Sequence, residues 1–175
     1  MKLMKKIAIN ALLFLAFTAL ASMQAQAMDM VDLPDSCEDK GMNIIVCPLD
    51  DGIGMDEAID SMKLRANSLN FKLVAHMPLS EQVKAMGEDS RRMEIFQFCD
   101  ALIAKQMVEY NIVFAGFLPC RIALVEGADG NASIVTLNMD TMVQSVELTE
   151  DLQKLGMKVR NTIFSIVQAG VEGDL

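Results

Sequence analysis

The order of strand-like and helical segments is the feature that most limits the fold of this chain. Short runs rich in β-branched and aromatic residues alternate with stretches whose apolar residues recur every three or four positions. Strands are predicted at 43–47, 71–77, 92–99, 120–125 and 133–137, and helices at 55–69, 101–110 and 148–169. The resulting order, β-α-β-β-α-β-β-α, predicts an α+β fold with a mostly antiparallel sheet and the helices on one side.

Turn and cap signals support these boundaries. The segment Ala128-Asp129-Gly130-Asn131 separates the last two strands and is typical of a β-hairpin. Asp100 and Thr149 stand where helix N-caps are expected. Residues 28–41 are polar and lack periodicity, so we expect a loosely ordered arm there. A polar connection with one helical turn at 81–86 is predicted between the second and third strands.

The first 27 residues are typical of a secretory leader. Lys2, Lys5 and Lys6 precede an apolar run over residues 7–21, and Ala25-Gln26-Ala27 offers a cleavage site. The run is shorter than the roughly 20 residues that span a bilayer. We therefore expect cleavage after Ala27, a periplasmic or secreted protein of 148 residues, and no membrane segment after the leader is removed.

Length and charge limit the kind of protein further. The remaining chain suits one domain, in which residues 28–54 supply the arm and the first strand, and residues 143–175 supply a helix packed on the same domain. Loss of the leader lysines takes the formal net charge from −9 to −12. So acidic a chain repels a phosphate backbone, and nucleic-acid binding is not expected. A small ligand or a protein partner stays possible, and the oligomeric state is open.

Four cysteines remain after the leader, and an even number in an exported domain indicates disulfides. Cys37 lies in the arm and Cys47 at the end of the first strand, so a bridge between them would tie the arm to the sheet. The chain-entropy model gives roughly 3 kcal/mol for a loop of this length. We favour this pairing, with a structural role.

Cys99 and Cys120 are the candidate ligand or redox residues. Cys99 ends a predicted strand just before a helix cap, where backbone N–H groups and the helix dipole are expected to lower its pKa. Cys120 begins the next strand. If the sulfurs meet, they could form a structural disulfide, a dithiol switch or a soft-metal clamp; otherwise they are two buried thiols. The absence of Cys-x-x-Cys disfavours a thioredoxin-type oxidoreductase.

His76 is the single histidine of the chain. Strict strand alternation places it on one face with Lys72 and Val74, opposite Phe71 and Leu73. It is either a half-exposed strand residue, a base beside a cysteine, or a metal ligand together with Cys or Met sulfur. No established catalytic or phosphate-binding motif occurs, so the sequence leaves enzymatic activity, metal and cofactors open.

The segments around these two cysteines resemble a known family, the domain of unknown function 302 family. The similar segments are Phe96-Gln97-Phe98-Cys99, a helix with Ala104 and Met107, and the strand Leu118-Pro119-Cys120-Arg121-Ile122-Ala123-Leu124-Val125-Glu126. The resemblance implies a core domain over residues 55–142, a TATA-binding-protein-like layout and no established activity. It also makes Cys99 and Cys120 the two characteristic cysteines. The family usually has Asn-Pro after the first cysteine, where this chain has Asp100-Ala101.

These features predict an exported binding module that holds a small molecule, a soft metal or haem, or a sulfur species near Cys99 and Cys120. One alternative is a thiol redox or sulfur-transfer enzyme with Cys99 as nucleophile and Cys120 as the resolving thiol. Another is a structural or interaction module.

Overall fold

A computed structural model describes residues 30–174 of the chain. The predicted leader and its cleavage site lie outside the described residues. The strands are β1 Glu38–Asp39, β2 Ile44–Pro48, β3 Lys72–Met77, β4 Met93–Cys99, β5 Cys120–Glu126 and β6 Ala132–Leu137. The helices are α1 Met55–Ser68, α2 Leu79–Ala85, α3 Ala101–Tyr110, α4 Met139–Gln144 and α5 Glu150–Glu172, with a 3₁₀ helix at Ile112–Phe117.

The strands form one six-stranded sheet in the order β1-β2-β6-β5-β4-β3. Every neighbouring pair is antiparallel. The α+β class and the antiparallel sheet are therefore confirmed, and the element order and layout agree with a TATA-binding-protein-like arrangement. The sheet brings the start of β5 next to the end of β4, which positions the site described below.

The central strands bury alternate side chains, as their sequence pattern predicts. On β4, Phe96 and Phe98 are fully buried, whereas Ile95 and Gln97 are partly exposed. The buried face packs with the apolar stripes of α1 and α5, in which Met62 and Ile163 are fully buried. Burial of each such side chain favours folding by roughly 1.5–3 kcal/mol, so this layer of the core holds the sheet in place.

The predicted caps are present. The Asp100 carboxylate accepts hydrogen bonds from the backbone N–H groups of Leu102 and Ile103, at 3.0 and 3.2 Å. Thr149 accepts from Leu152 at the start of α5. A helix begins where its first free N–H groups find acceptors, and these two caps fix where α3 and α5 begin.

Strand β3 differs from the prediction. Its register shifts between Leu73 and Ala75, so Val74 is an extra residue in a bulge. Leu73 pairs with Phe98 and His76 with Phe96, which places Leu73 and His76 on the same face. The expected alternation across the whole strand, with His76 opposite Leu73, is therefore wrong.

The arm is partly ordered, because β1 pairs with β2 and a disulfide joins Cys37 to Cys47. This confirms the favoured pairing. Cys47 is fully buried and faces the core, so the bridge ties the arm to the interior side of the sheet. Among the described helices, none is long and apolar enough to cross a membrane.

Candidate functional site

Cys99 and Cys120 lie at neighbouring ends of two paired strands. Cys99 is the last residue of β4 and Cys120 the first of β5, and Cys120 is the register partner of Phe98. Helix α3 and the 3₁₀ helix return the chain between them. Both cysteines are free, and both line the same cavity. The fold therefore brings Cys99 and Cys120 to one cavity, a question that the sequence alone left open.

The shared cavity is small and apolar. About 20 Å³ is open to the centre of a water-sized sphere, which is room for roughly one water molecule. Haem is far larger than this volume and does not fit the cavity in the described conformation.

Two methionine thioethers add to the sulfur around this cavity. Met107 of α3 and Met142 of α4 both line it, and each is only 5% exposed. Two thiols and two thioethers thus surround one small space. The sequence alone does not mark these two methionines as ligands, since apolar helical spacing is the same for a core residue and for a ligand.

Both thiols are held in the protonated form. Burial raises the pKa of Cys99, and the negative charge of Asp100 raises it further. Burial raises the pKa of Cys120 to about 12. The expectation that a helix N-terminus lowers the pKa of Cys99 is therefore wrong, because Asp100 takes the first free N–H groups of α3 and adds its own charge beside the sulfur.

His76 lies apart from the thiols. It pairs with Phe96, whereas the β3 partner of Cys99 is Lys72, at the other end of the strand. The imidazole stacks on the Phe96 ring, with centroids 4.5 Å apart and planes 8° from parallel. Its Nε2 lies 2.6 Å from Oε2 of Glu94. The geometry therefore joins His76 to a carboxylate and not to Cys99 or Cys120.

The buried Glu94 is the centre of a polar network that sequence reasoning missed. Its Oε1 accepts a hydrogen bond from Nε of Arg92 at 2.6 Å, and Arg92 also pairs with Asp56 at 2.7 Å. Burial acts to raise the pKa of Glu94, but the hydrogen bonds from Arg92 and His76 outweigh it and hold the pKa below its usual value. The sequence did carry one signal for this network: strand alternation places the Glu94 carboxylate on the same face as Phe96 and Phe98.

The residues available for a metal are few. Within residues 30–174, no group of three or more His, Cys, Asp or Glu side chains could hold an ion. A structural zinc site takes four nitrogen or sulfur ligands, commonly Cys and His. The thiol cavity offers two cysteines and two thioethers instead, a donor set suited to a softer ion.

An antiparallel sheet with helices on one side and two cysteines at adjacent strand ends defines a small α+β domain of the class that the sequence resembles. The family model "Domain of unknown function DUF302" matches residues 47–169, and the chain belongs to this family. The match begins at the end of β2 and includes most of α5.

Comparison with solved structures supports the fold. The crystal structure of an uncharacterized conserved DUF302 protein from Bacillus stearothermophilus is similar, with a TM-score of 0.60 at 17% sequence identity. The alignment covers 73% of this chain and 98% of that one. At this identity the likeness shows the fold alone. No curated protein matches the sequence.

Proposed function

We propose that this protein is an exported binding module that holds one soft monovalent metal ion, of the Cu(I) class, at Cys99 and Cys120. The observation that carries the proposal is that both thiols and the thioethers of Met107 and Met142 line one small apolar cavity. Thiolate and thioether sulfur favour Cu(I) over harder divalent ions. A bare ion also suits a volume that excludes haem.

Metal binding must displace protons from these thiols, because burial keeps the pKa of both cysteines above the usual value. Both cysteines must be thiolates to bind, so the complex with Cu(I) carries one net negative charge. Cys99 is the better thiolate, since it is the more exposed of the two. The thioethers add soft donors without charge. We therefore expect about two protons released per ion, and affinity that rises about a hundredfold per pH unit near neutrality.

The rival thiol redox function has less support. A nucleophilic cysteine requires a lowered pKa in an electropositive setting. Cys99 instead has a raised pKa and a neighbouring carboxylate, Asp100. The raised pKa of both thiols therefore argues against a resting nucleophile.

Location in an exported compartment is part of this proposal. The Cys37–Cys47 disulfide supports it, because such bonds persist in oxidising compartments. Intact mass measurement of the protein from the periplasmic fraction should give a chain that starts at Met28. A chain that retains Met1 there, or a protein confined to the cytosol, contradicts export.

Anaerobic competition against a chromophoric Cu(I) chelator, bicinchoninate, tests the metal proposal. We expect one Cu(I) per chain, and binding at least about a hundredfold weaker in each of Cys99→Ser and Cys120→Ser. Met142→Leu should weaken binding by a smaller factor. Met139→Leu is the matched control, since Met139 is buried in the same helix but does not line the cavity.

Two results would overturn the proposal. One is Cu(I) binding that is unchanged when both cysteines are serine in a folded protein, as judged by circular dichroism. The other is a Cys99–Cys120 disulfide in all protein taken from its native compartment under alkylating conditions, because an oxidised pair has no thiolate to offer.

A further inference from the structure

A second candidate site, independent of the thiols, lies on the sheet face opposite the buried one. Ile44, Ile95, Ala123, Val135 and Leu137 line a groove there, together with Arg121. The apolar side chains are partly exposed and Arg121 is exposed. They alternate along their strands with core residues such as Phe96, Ile122 and Ile134, which places the groove on the other side of the sheet from the core.

The strand registers show which residues form the bottom of this groove and which form its two sides. Ala123 of β5 pairs with Ile95 of β4 on one side and with Val135 of β6 on the other. A methyl group between two larger side chains leaves a channel along β5. Arg121 lies two residues before Ala123 on the same face. The channel is therefore apolar along its length and carries a guanidinium at one end.

Arg121 is available for an anion. Within the described chain, no hydrogen bond or ion pair to its guanidinium is present, and its register partner is the neutral Gln97. The groove lining includes no carboxylate. The other arginine side chains that the structure describes are paired with acids, except Arg91. In a chain with 24 acidic and 15 basic residues, an unpaired arginine inside an apolar groove marks a place for one negative charge.

We propose that this groove binds a medium-chain fatty acid, with the carboxylate on Arg121 and the acyl chain over Ala123, between Ile95 and Val135. The planar guanidinium matches a carboxylate with two parallel hydrogen bonds. The apolar walls remove the chain from water. On β5 the groove is lined by Arg121 and Ala123, and the next residue on this face is the partly buried Val125. From residue 121 to residue 125 the strand covers about 14 Å, so an extended acyl chain of medium length would fill the groove and continue over Val125.

Calorimetric titration of the exported protein with sodium dodecanoate, below its micelle concentration, tests this site. We expect saturable binding of one dodecanoate per chain and no comparable binding of dodecyltrimethylammonium. Arg121→Gln should weaken dodecanoate binding about tenfold or more, and Ala123→Leu should abolish it by filling the channel. Lys158→Gln is the matched control, since Lys158 is an exposed cation on α5 and does not line the groove, and it should leave binding unchanged.

Several results would overturn the proposal: no saturable binding, equal loss in Arg121→Gln and Lys158→Gln, or equal binding of the cationic amphiphile. The other possible occupant of the groove is a second copy of this chain, and sedimentation equilibrium on the same variants tests for it. A wild-type dimer that Ala123→Leu dissociates would assign this face to a second copy of the chain instead.

Discussion

At the scale of single residues, the environment of Cys99 decides which chemistry the thiols can perform. Burial and the charge of Asp100 both raise the pKa of Cys99. Asp100→Asn removes the charge and keeps a good N-cap. We expect a lower Cys99 pKa and faster alkylation by iodoacetamide at pH 8 in this variant. Asp51→Asn, at an exposed turn residue, should leave the rate unchanged; an equal rate in all three proteins contradicts the role of Asp100.

The Glu94 network predicts a pH-dependent stability. The pKa of Glu94 is lower in the folded protein than its ordinary value of 4.5. Its contribution to stability is therefore full above that value and is lost as pH falls through the folded-state pKa. Glu94→Gln should lower the free energy of unfolding by about 1–3 kcal/mol at pH 7.

Urea denaturation at pH 7 and at pH 3 measures this effect. The difference between wild type and Glu94→Gln should shrink at pH 3, because the wild-type carboxyl is then becoming protonated as well. Glu81→Gln is the control, since Glu81 is exposed and pairs with Lys84 on the surface. It should change stability by no more than about 0.5 kcal/mol. A constant difference at both pH values would argue against the ionised network.

Residue-scale prediction from the sequence succeeded in part. Cys37 and Cys47 could be paired because the compartment and the short loop limit the choices. The direction of the Cys99 pKa shift could not be predicted, because it depends on which group accepts hydrogen bonds from the N–H groups at the start of α3 and on how deeply the sulfur is buried. Glu94 shares a strand face with Phe96, and its partner Arg92 lies two residues before it. Its other partner, His76, lies on β3, and Asp56, which pairs with Arg92, lies on α1, so the sequence spacing could not show that these groups meet.

At the scale of elements, helix α5 packs closely against its neighbours at Gly170. A Cβ added there would come within 2.6 Å of Cγ of Met62 and 2.7 Å of Cδ1 of Ile134. Gly170→Ala should therefore destabilise the protein by about 1–3 kcal/mol through overpacking. Gly156→Ala in the same helix is the matched control, since its nearest neighbour would be 3.5 Å away.

Gly156→Ala should be neutral or stabilising by up to about 1 kcal/mol, because alanine has the higher helix propensity. Thermal and urea denaturation of both variants measure the contrast. Equal effects of the two substitutions would show that α5 does not approach α1 and β6 as closely at Gly170 as described.

The disulfide joins the arm to the sheet at the element scale. Replacing Cys37 by Ser together with Cys47 by Ala should lower the free energy of unfolding by roughly 3 kcal/mol, the loop-closure value for this separation. Urea denaturation of wild type with and without dithiothreitol provides the comparison. Unchanged stability in both tests would mean that the bridge orders the arm without stabilising the domain.

The main elements were predictable because each has a strong repeating pattern. The long helices α1 and α5 and the central strands β4, β5 and β6 bury one face, and that requirement fixes their apolar spacing. Helix α4 has six residues and β1 has two, which is too short for a period to appear. The bulge at Val74 leaves no mark in the alternation and required the pairing of β3 with β4 to be known.

At the scale of the whole molecule, the two faces of the sheet separate two proposed roles. The sulfur-lined cavity lies on the helical side, between β4, β5 and α3, and we expect a soft cation to bind there. The other face carries the apolar channel that begins at Arg121 on β5. Both sites draw on the same strand, but Cys120 faces the helices and Arg121 faces away from them. Substitutions at one site should therefore leave ligand binding at the other unchanged.

The most direct test of the sulfur site is copper K-edge X-ray absorption of the Cu(I)-loaded, exported protein. The proposed cavity predicts a first shell made only of sulfur, supplied by Cys99 and Cys120 with the thioethers of Met107 and Met142. It also predicts that this shell is lost in Cys99→Ser/Cys120→Ser. A first shell that contains nitrogen or oxygen, or a sulfur shell that survives the double substitution, would contradict metal binding at this site.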